Sequence, residues 1–274
     1  MAKIKKKYRS AGFIIFSTLI AAVTLVIVTL IVIYALGYRY LKKEFTDGSY
    51  IKFVGKVDEN GSPVAGRLYY SDGTQATFDR ENGTINYTGG NVYKGGLREL
   101  QCYGQGTMTY ANGDIYVGTF ADDYPNGTGK YTFSNGDVYE GTFKNGKKSG
   151  NGKYTRAADG STYEGEFEND MKNGHGVYKW ADGSYYDGQY VNDVKQGTGT
   201  YVFFDEERNY LGTYTGDFVN DARSGKGTYK WASGDTYVGE FKNNLMNGWG
   251  TYTWVSGRVY EGYFRNGTIV RTEE

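Results

Sequence analysis

Along residues 163–180, YEGEFENDMKNGHGVYKW, apolar and polar positions alternate with period two. This is the signature of a half-buried β-strand. Tyr163, Gly165 and Phe167 fall on one face, with Glu164 and Glu166 on the other. A polar middle containing Asn and Gly turns the chain. Gly174, Gly176, Tyr178 and Trp180 then share a face against His175, Val177 and Lys179. The pattern predicts a β-hairpin with one aromatic face. It also recurs, with Tyr-x-Gly at Tyr93, Tyr116, Tyr139, Tyr163, Tyr186, Tyr214, Tyr237 and Tyr260, spaced by 23 or 24 residues except for 28 before Tyr214. Gly-x-Gly pairs follow at Gly104/Gly106, Gly127/Gly129, Gly150/Gly152, Gly174/Gly176, Gly197/Gly199, Gly225/Gly227 and Gly248/Gly250. A fixed period of this size marks a stacked repeat array, here seven hairpins and a closing strand. The links end in Gly (Asn112-Gly113, Asn135-Gly136, Asp159-Gly160, Asp182-Gly183). Such pairs supply the positive φ that tight turns between antiparallel strands require. The five extra residues before Tyr214 include the charged run Asp205–Arg208 and sit at a link, so the strand register is expected to survive them.

Ahead of the array the pattern changes. From Ser10 to Tyr38 there is no charge, and sixteen of the 24 residues Phe13–Leu36 are Leu, Ile, Val or Phe. As a helix this run is about 36 Å long, enough for a hydrocarbon core of about 30 Å. It reads as a membrane-spanning helix. The small residues of Ala35-Leu36-Gly37 resemble a signal-peptidase site, but the run far exceeds a usual signal core, which favours an uncleaved anchor. Lys3, Lys5, Lys6, Lys7 and Arg9 precede it, against Arg39, Lys42 and Lys43 after it. By the positive-inside rule this places the N-terminus in the cytoplasm and the repeats outside the cell membrane. The predicted organisation is a basic segment (1–10), the helix (11–38), a linker (39–49), degenerate N-terminal cap repeats without the Tyr-x-Gly-x-Phe signature (50–92), the array (93–267) and a tail (268–274).

Composition refines this picture. With 42 Gly and 29 Tyr but 2 Pro, the glycines are in register with aromatics and so are structural. Net charge is zero and no basic face stands out, which argues against a nucleic-acid partner. Cys102 is alone, so no intrachain disulfide can form.

The segments YEGTFKNGKKSGNGKYT, YEGEFENDMKNGHGVYKWADG and YVGEFKNNLMNGWGTYTWVSG resemble MORN repeats, whose pattern is Y-x-G-x-F/W followed by G-x-G. The resemblance spans residues 93–267. It implies an all-β fold: an elongated single-layer antiparallel sheet of stacked β-hairpins, a β-solenoid-like array, here preceded by the transmembrane helix. It further implies a scaffold, a dimerisation surface or a membrane-apposition module. No residues remain for the kinase or SET domains of some relatives, and no cofactor or metal is implied. Leu97, Arg156 and the insertion at 205–209 depart from the pattern.

About three repeats of separation keep His175 and Cys102 apart, and His175 fills a position that other repeats give to Gln, Thr, Asn, Lys or Trp. Glu164 and Glu166 stand two apart on a polar face with nothing to raise one pKa, as acid catalysis needs. The chain is therefore expected not to be an enzyme. The aromatics carry the functional question. Trp180, Trp231 and Trp254 close return strands, Tyr178, Tyr229 and Tyr252 precede them by two, and Trp249 lies on the opposite face. These seven are the candidate binding-groove residues, for a protein partner or, alternatively, for an extracytoplasmic glycan. Open edge strands leave room for an end-to-end homodimer.

Overall fold

The computed structural model describes residues 2–270, in two compact units that divide between Gln101 and Cys102. The side chains of Lys3 to Arg9, on which the charge argument for orientation rests, and residues 271–274 of the tail lie outside the described residues.

The first unit opens with helix α1 (Ala2–Ala35). Its Phe13–Ala35 stretch is long and apolar enough to cross a membrane. Every side chain from Phe13 to Leu36 is exposed, so the protein itself offers this helix no apolar partner. Gly37, at φ +82°, ends it in the left-handed region. Arg39 Nη1 donates to the carbonyls of Tyr34 and Tyr38 (2.8 and 2.9 Å), and its guanidinium stacks on the Tyr34 ring. The expected linker is corrected at this point. Residues 38–44 form strand β1 (Tyr38–Glu44), fully paired with β2 (Tyr50–Val57). An alternating stretch two residues past the helix meets a waiting strand, so its backbone polar groups pair rather than dangle.

Antiparallel pairing continues in chain order through β3 (Pro63–Tyr70), β4 (Gln75–Asp79), β5 (Thr84–Tyr87) and β6 (Val92–Arg98). Ile51, Phe53, Leu68, Phe78, Ile85 and Tyr93 are buried on one face. Gly55 faces Gly66 across β2 and β3, and a Cβ on either would come within 2.7 Å of the Phe53 ring. The ring-over-two-glycines device of the array is therefore already present, carried by Phe53-x-Gly55.

The second unit is a single-layer antiparallel meander. Its strands are β7 (Gln101–Thr109), β8 (Ile115–Ala121), β9 (Tyr124–Thr132), β10 (Val138–Lys144), β11 (Lys147–Thr155), β12 (Thr162–Glu168), β13 (Met171–Lys179) and β14 (Tyr185–Val191). They continue through β15 (Val194–Phe204), β16 (Tyr210–Val219), β17 (Ala222–Trp231), β18 (Thr236–Lys242), β19 (Leu245–Thr253), β20 (Val259–Arg265) and the short β21 (Thr268–Ile269). Each strand pairs with its neighbours in sequence, forming one open sheet, so the β-solenoid expectation is corrected. The insertion lengthens β15 and β16, which stay in register at Tyr201↔Tyr214 and turn at Asp205–Asn209.

Tyr116, Tyr139, Tyr163, Tyr186, Tyr214 and Tyr237 are 0–2% exposed. Each ring covers two facing glycines, as Tyr139 covers Gly141 and Gly152. Each hydroxyl donates to the carbonyl three residues on, at 2.9–3.1 Å. Each ring also meets two rings edge-on, as Tyr139 meets Phe143 and Phe167, both at 5.1 Å. Edge-to-face pairs add about 0.5–1.5 kcal/mol beyond their buried area, and here one pair of each two, such as Tyr139–Phe167, joins one repeat to the next.

Candidate functional site

Beside the buried tyrosines runs a second row of rings, supplied by the return strands. Tyr131, Tyr154, Tyr178, Tyr201, Tyr229 and Tyr252 pair across the strands with the core tyrosines but are half-buried. Two residues on, Phe133, Trp180, Phe203, Trp231 and Trp254 pack against them, Phe203 stacked and the others tilted by 48–53°. Cross-repeat contacts make the row continuous. Trp180 lies 4.9 Å from Tyr201 and nearly parallel to it, Phe203 5.8 Å from Tyr229, and Trp231 5.2 Å from Tyr252. Arg156 takes the ring position in its own repeat and pairs with Asp159 at 3.2 Å. Arg258 caps the far end over Trp254 at 3.7 Å.

The link turns fix this row in place. Asp137 accepts from Tyr154 Oη at 2.5 Å and from the Ala157 amide at 2.8 Å. Asp114 does the same for Tyr131 and Ser134, and Asp235 for Tyr252 and Val255. These bonds stabilise the anion: the Tyr154 hydroxyl and the Ala157 amide hold the Asp137 carboxyl below its usual range. Burial and Asp235 push Tyr252 up to about 12.

A row of cations that the alternation reading passed over completes the face. Each return strand bulges, and the first glycine of its Gly-x-Gly takes positive φ (Gly174 +102°). The register shift sets Lys172 opposite Phe167, Lys148 opposite Phe143, Lys195 opposite Tyr190 and Arg223 opposite Phe218. Lys172 Nζ sits 5.3–5.6 Å from the rings of Tyr163, Tyr178 and Tyr190. Lys148, Lys195 and Arg223 occupy equivalent ring cages. Burial lowers the pKa of Lys148 and Lys172. The cages hold charge at about 0.5–2 kcal/mol per cation–π contact. The amides of Lys148, Lys172 and Lys195 donate to Asp170, Asp193 and Asp221, in the two-residue turn of the following hairpin. The cation row was legible by counting period two back from Gly174 to Lys172, but those residues read as turn.

Trp180, Trp231, Trp254, Tyr178, Tyr229 and Tyr252 therefore share one face, as one continuous row. Trp249 stands apart on the opposite face, 48% exposed and edge-on to Tyr263 at 5.0 Å. The row also includes Tyr131, Phe133, Tyr154, Tyr201 and Phe203, which were not singled out from the sequence. On the polar face Lys130 pairs with Glu140, and His175 with Asp187 at 2.7 Å. Cys102 is buried.

Among solved structures, the TCP domain of SAS-4 of Drosophila melanogaster, in complex with a proline-rich motif of Ana2, is 14% identical, with a TM-score of 0.29 over 74% of this chain and 91% of that domain. Virginiamycin B lyase from Staphylococcus aureus is 12% identical, with a TM-score of 0.16 over 84% of this chain and 85% of the lyase. No curated protein matches significantly in sequence. The MORN repeat profile matches residues 102–115, 116–138, 139–161, 163–185, 186–208, 214–236 and 237–257. The expected repeat beginning at Tyr93, whose Leu97 breaks the pattern, is matched only from Cys102, over its return strand. With more than half of its length in matched repeats, and with each matched Tyr and glycine pair forming the same packed unit, the chain belongs to the MORN repeat family.

Proposed function

We propose that the chain is a single-pass membrane protein that presents its MORN array as a non-catalytic protein-binding or scaffolding surface. The observation that carries this reading is the half-buried ring row, which repeats similar stacking sites at intervals of about 10 Å. A partner touching several repeats sums weak contacts by multivalency. The fully exposed apolar helix supports the membrane anchor, and the basic excess before it supports an extracytoplasmic array. Photo-crosslinkers placed at Trp180 and Trp231 in intact cells are expected to trap one discrete protein. Trapping with equal yield from Thr142 on the polar face would count against the ring row. Removal of a C-terminal tag by protease without permeabilisation is the outcome expected from the orientation, and its survival would reverse it.

The near-parallel stack of Trp180, Tyr201 and Phe203 favours a second reading, glycan binding, because sugar rings pack flat on such faces. Saturable change in Trp fluorescence on titration with soluble wall polysaccharides is its signature, and a flat titration would set it aside. The end-to-end homodimer is a separate proposal, excluded by a monomeric mass in sedimentation at high concentration.

A further inference from the structure

We infer that the outer face of β1–β3 is a docking surface for the anionic headgroup layer of the bilayer that α1 crosses. This rests on the reading of α1 as an anchor, and adds a contact that the anchor alone does not require. Cross-strand register gathers Tyr38, Tyr40 and Lys42 of β1, Lys52, Val54 and Lys56 of β2, and Arg67 and Tyr69 of β3 on this face. It is the face opposite the buried Ile51, Phe53 and Leu68. Tyr38 (47%), Tyr40 (60%) and Val54 (46%) are exposed apolar surface in a unit whose other face has its own core. Lys42, Lys52, Lys56 and Arg67 surround them, and among β1–β3 the one carboxylate on this face is Glu44, paired with Lys42. Tyrosine beside lysine is the chemistry of the membrane–water interface.

Geometry decides what can cover the patch. Leu30, Ile33, Tyr34 and Leu36 of the last helical turns line a cleft of about 610 Å³ together with Tyr38, Arg39, Tyr40 and Val54. The outer sheet face and the flank of the helix thus open onto the same space. If Leu30 and Ile33 face acyl chains, the next layer outward, where Tyr40 and Val54 stand, is the headgroup layer. The four basic residues then meet lipid phosphates, and each cation near an anionic surface favours contact about fivefold.

Full-length Val54→Trp and Tyr69→Trp chains reconstituted in nanodiscs test this, with brominated phosphatidylglycerol or brominated phosphatidylcholine at equal mole fraction as quencher. Emission of each added Trp, over the native four, is expected to fall, and several-fold more readily with the anionic lipid. Lys52→Glu/Lys56→Glu/Arg67→Glu is expected to abolish that preference while far-UV circular dichroism stays unchanged. Alkaline carbonate extraction of native membranes separates the two readings. A chain that resists extraction but shows no quenching at residues 54 and 69 overturns the docking and leaves the anchor standing. Equal quenching by both lipids overturns the role of charge. A chain that extracts as a peripheral protein overturns the anchor, and the docking with it.

Discussion

At the glycines beneath the tyrosine rings there is no room for a methyl group. A Cβ on Gly141 would lie 2.5 Å from Tyr139 Oη and 2.6 Å from the Gly152 Cα, on a packed ring and on backbone that cannot yield. Gly141→Ala is expected to cost about 1–3 kcal/mol or more by overpacking. Gly160→Ala, with φ +73° but open space, is expected to cost about 1 kcal/mol from the left-handed backbone alone. Urea titration of both variants checks the order, and equal losses would mean the rings do not rest on the glycines. The rings also predict the alkaline limit. Burial pushes Tyr116, Tyr139, Tyr186 and Tyr237 up to about 12, whereas unfolded tyrosine ionises near pH 10. Above that pH the unfolded chain binds fewer protons than the native one. Stability is therefore full below about pH 10 and lost as pH rises towards 12. Phenolate absorbance should appear together with loss of the β-sheet signal, and ionisation of these rings in a folded chain would contradict it.

Between hairpins, two devices do the joining, and their side chains answer differently to substitution. Asp137 holds the Tyr154 hydroxyl and the Ala157 amide, and its carboxyl is depressed in the folded state. Its contribution is present above the ordinary carboxylate range and is lost as pH falls through the depressed value. Asp137→Asn is expected to lower the melting temperature at pH 7 and to bring it closer to wild type at low pH; an unchanged gap would show that ionisation is irrelevant. Lys172 is the opposite case. Its cage pays desolvation for a charge, and the equivalent position is Met246 opposite Phe241 and Pro125 opposite Phe120. Lys172→Met is thus expected to be neutral or stabilising, because an apolar chain of similar reach fills the same ring cage. Loss of stability by more than about 1 kcal/mol would show that the cation–π contacts outweigh desolvation. The sequence pattern marks only the Asn135-Gly136 turn beside Asp137, since the partners of this carboxylate, Tyr154 and Ala157, come 17 and 20 residues on.

For the second unit, neighbour-only pairing makes stability a sum over repeats and their interfaces. Deleting residues 163–185, one matched repeat of 23 residues, leaves Tyr154 of β11 to pair with Tyr186 of β14 in the same register. The shortened chain is expected to fold, with a smaller denaturant slope and a lower midpoint. A chain without sheet signal would show that the array is not modular. The insertion before Tyr214 already demonstrates the rule in part, since it lengthens one hairpin and leaves Tyr201↔Tyr214 in place.

The sequence by itself determined the hairpins, their spacing, the inward tyrosines and the apolar helix. All of these follow from local periodicity and from residue types whose size or backbone freedom admits one role. It also placed Trp180, Trp231 and Trp254 on one face with Tyr178, Tyr229 and Tyr252. It could not read residues 38–44 as strand β1, because pairing depends on a partner supplied by β2, nor Phe53-x-Gly55 as the tyrosine device, because the ring had changed. Period two gives Lys172 the face of Gly174, but the surroundings of the cation row were decided by tertiary structure. A bulge shifts the register within each return strand, and only the rings of the adjoining repeat show that Lys148, Lys172, Lys195 and Arg223 lie among aromatics rather than in solvent.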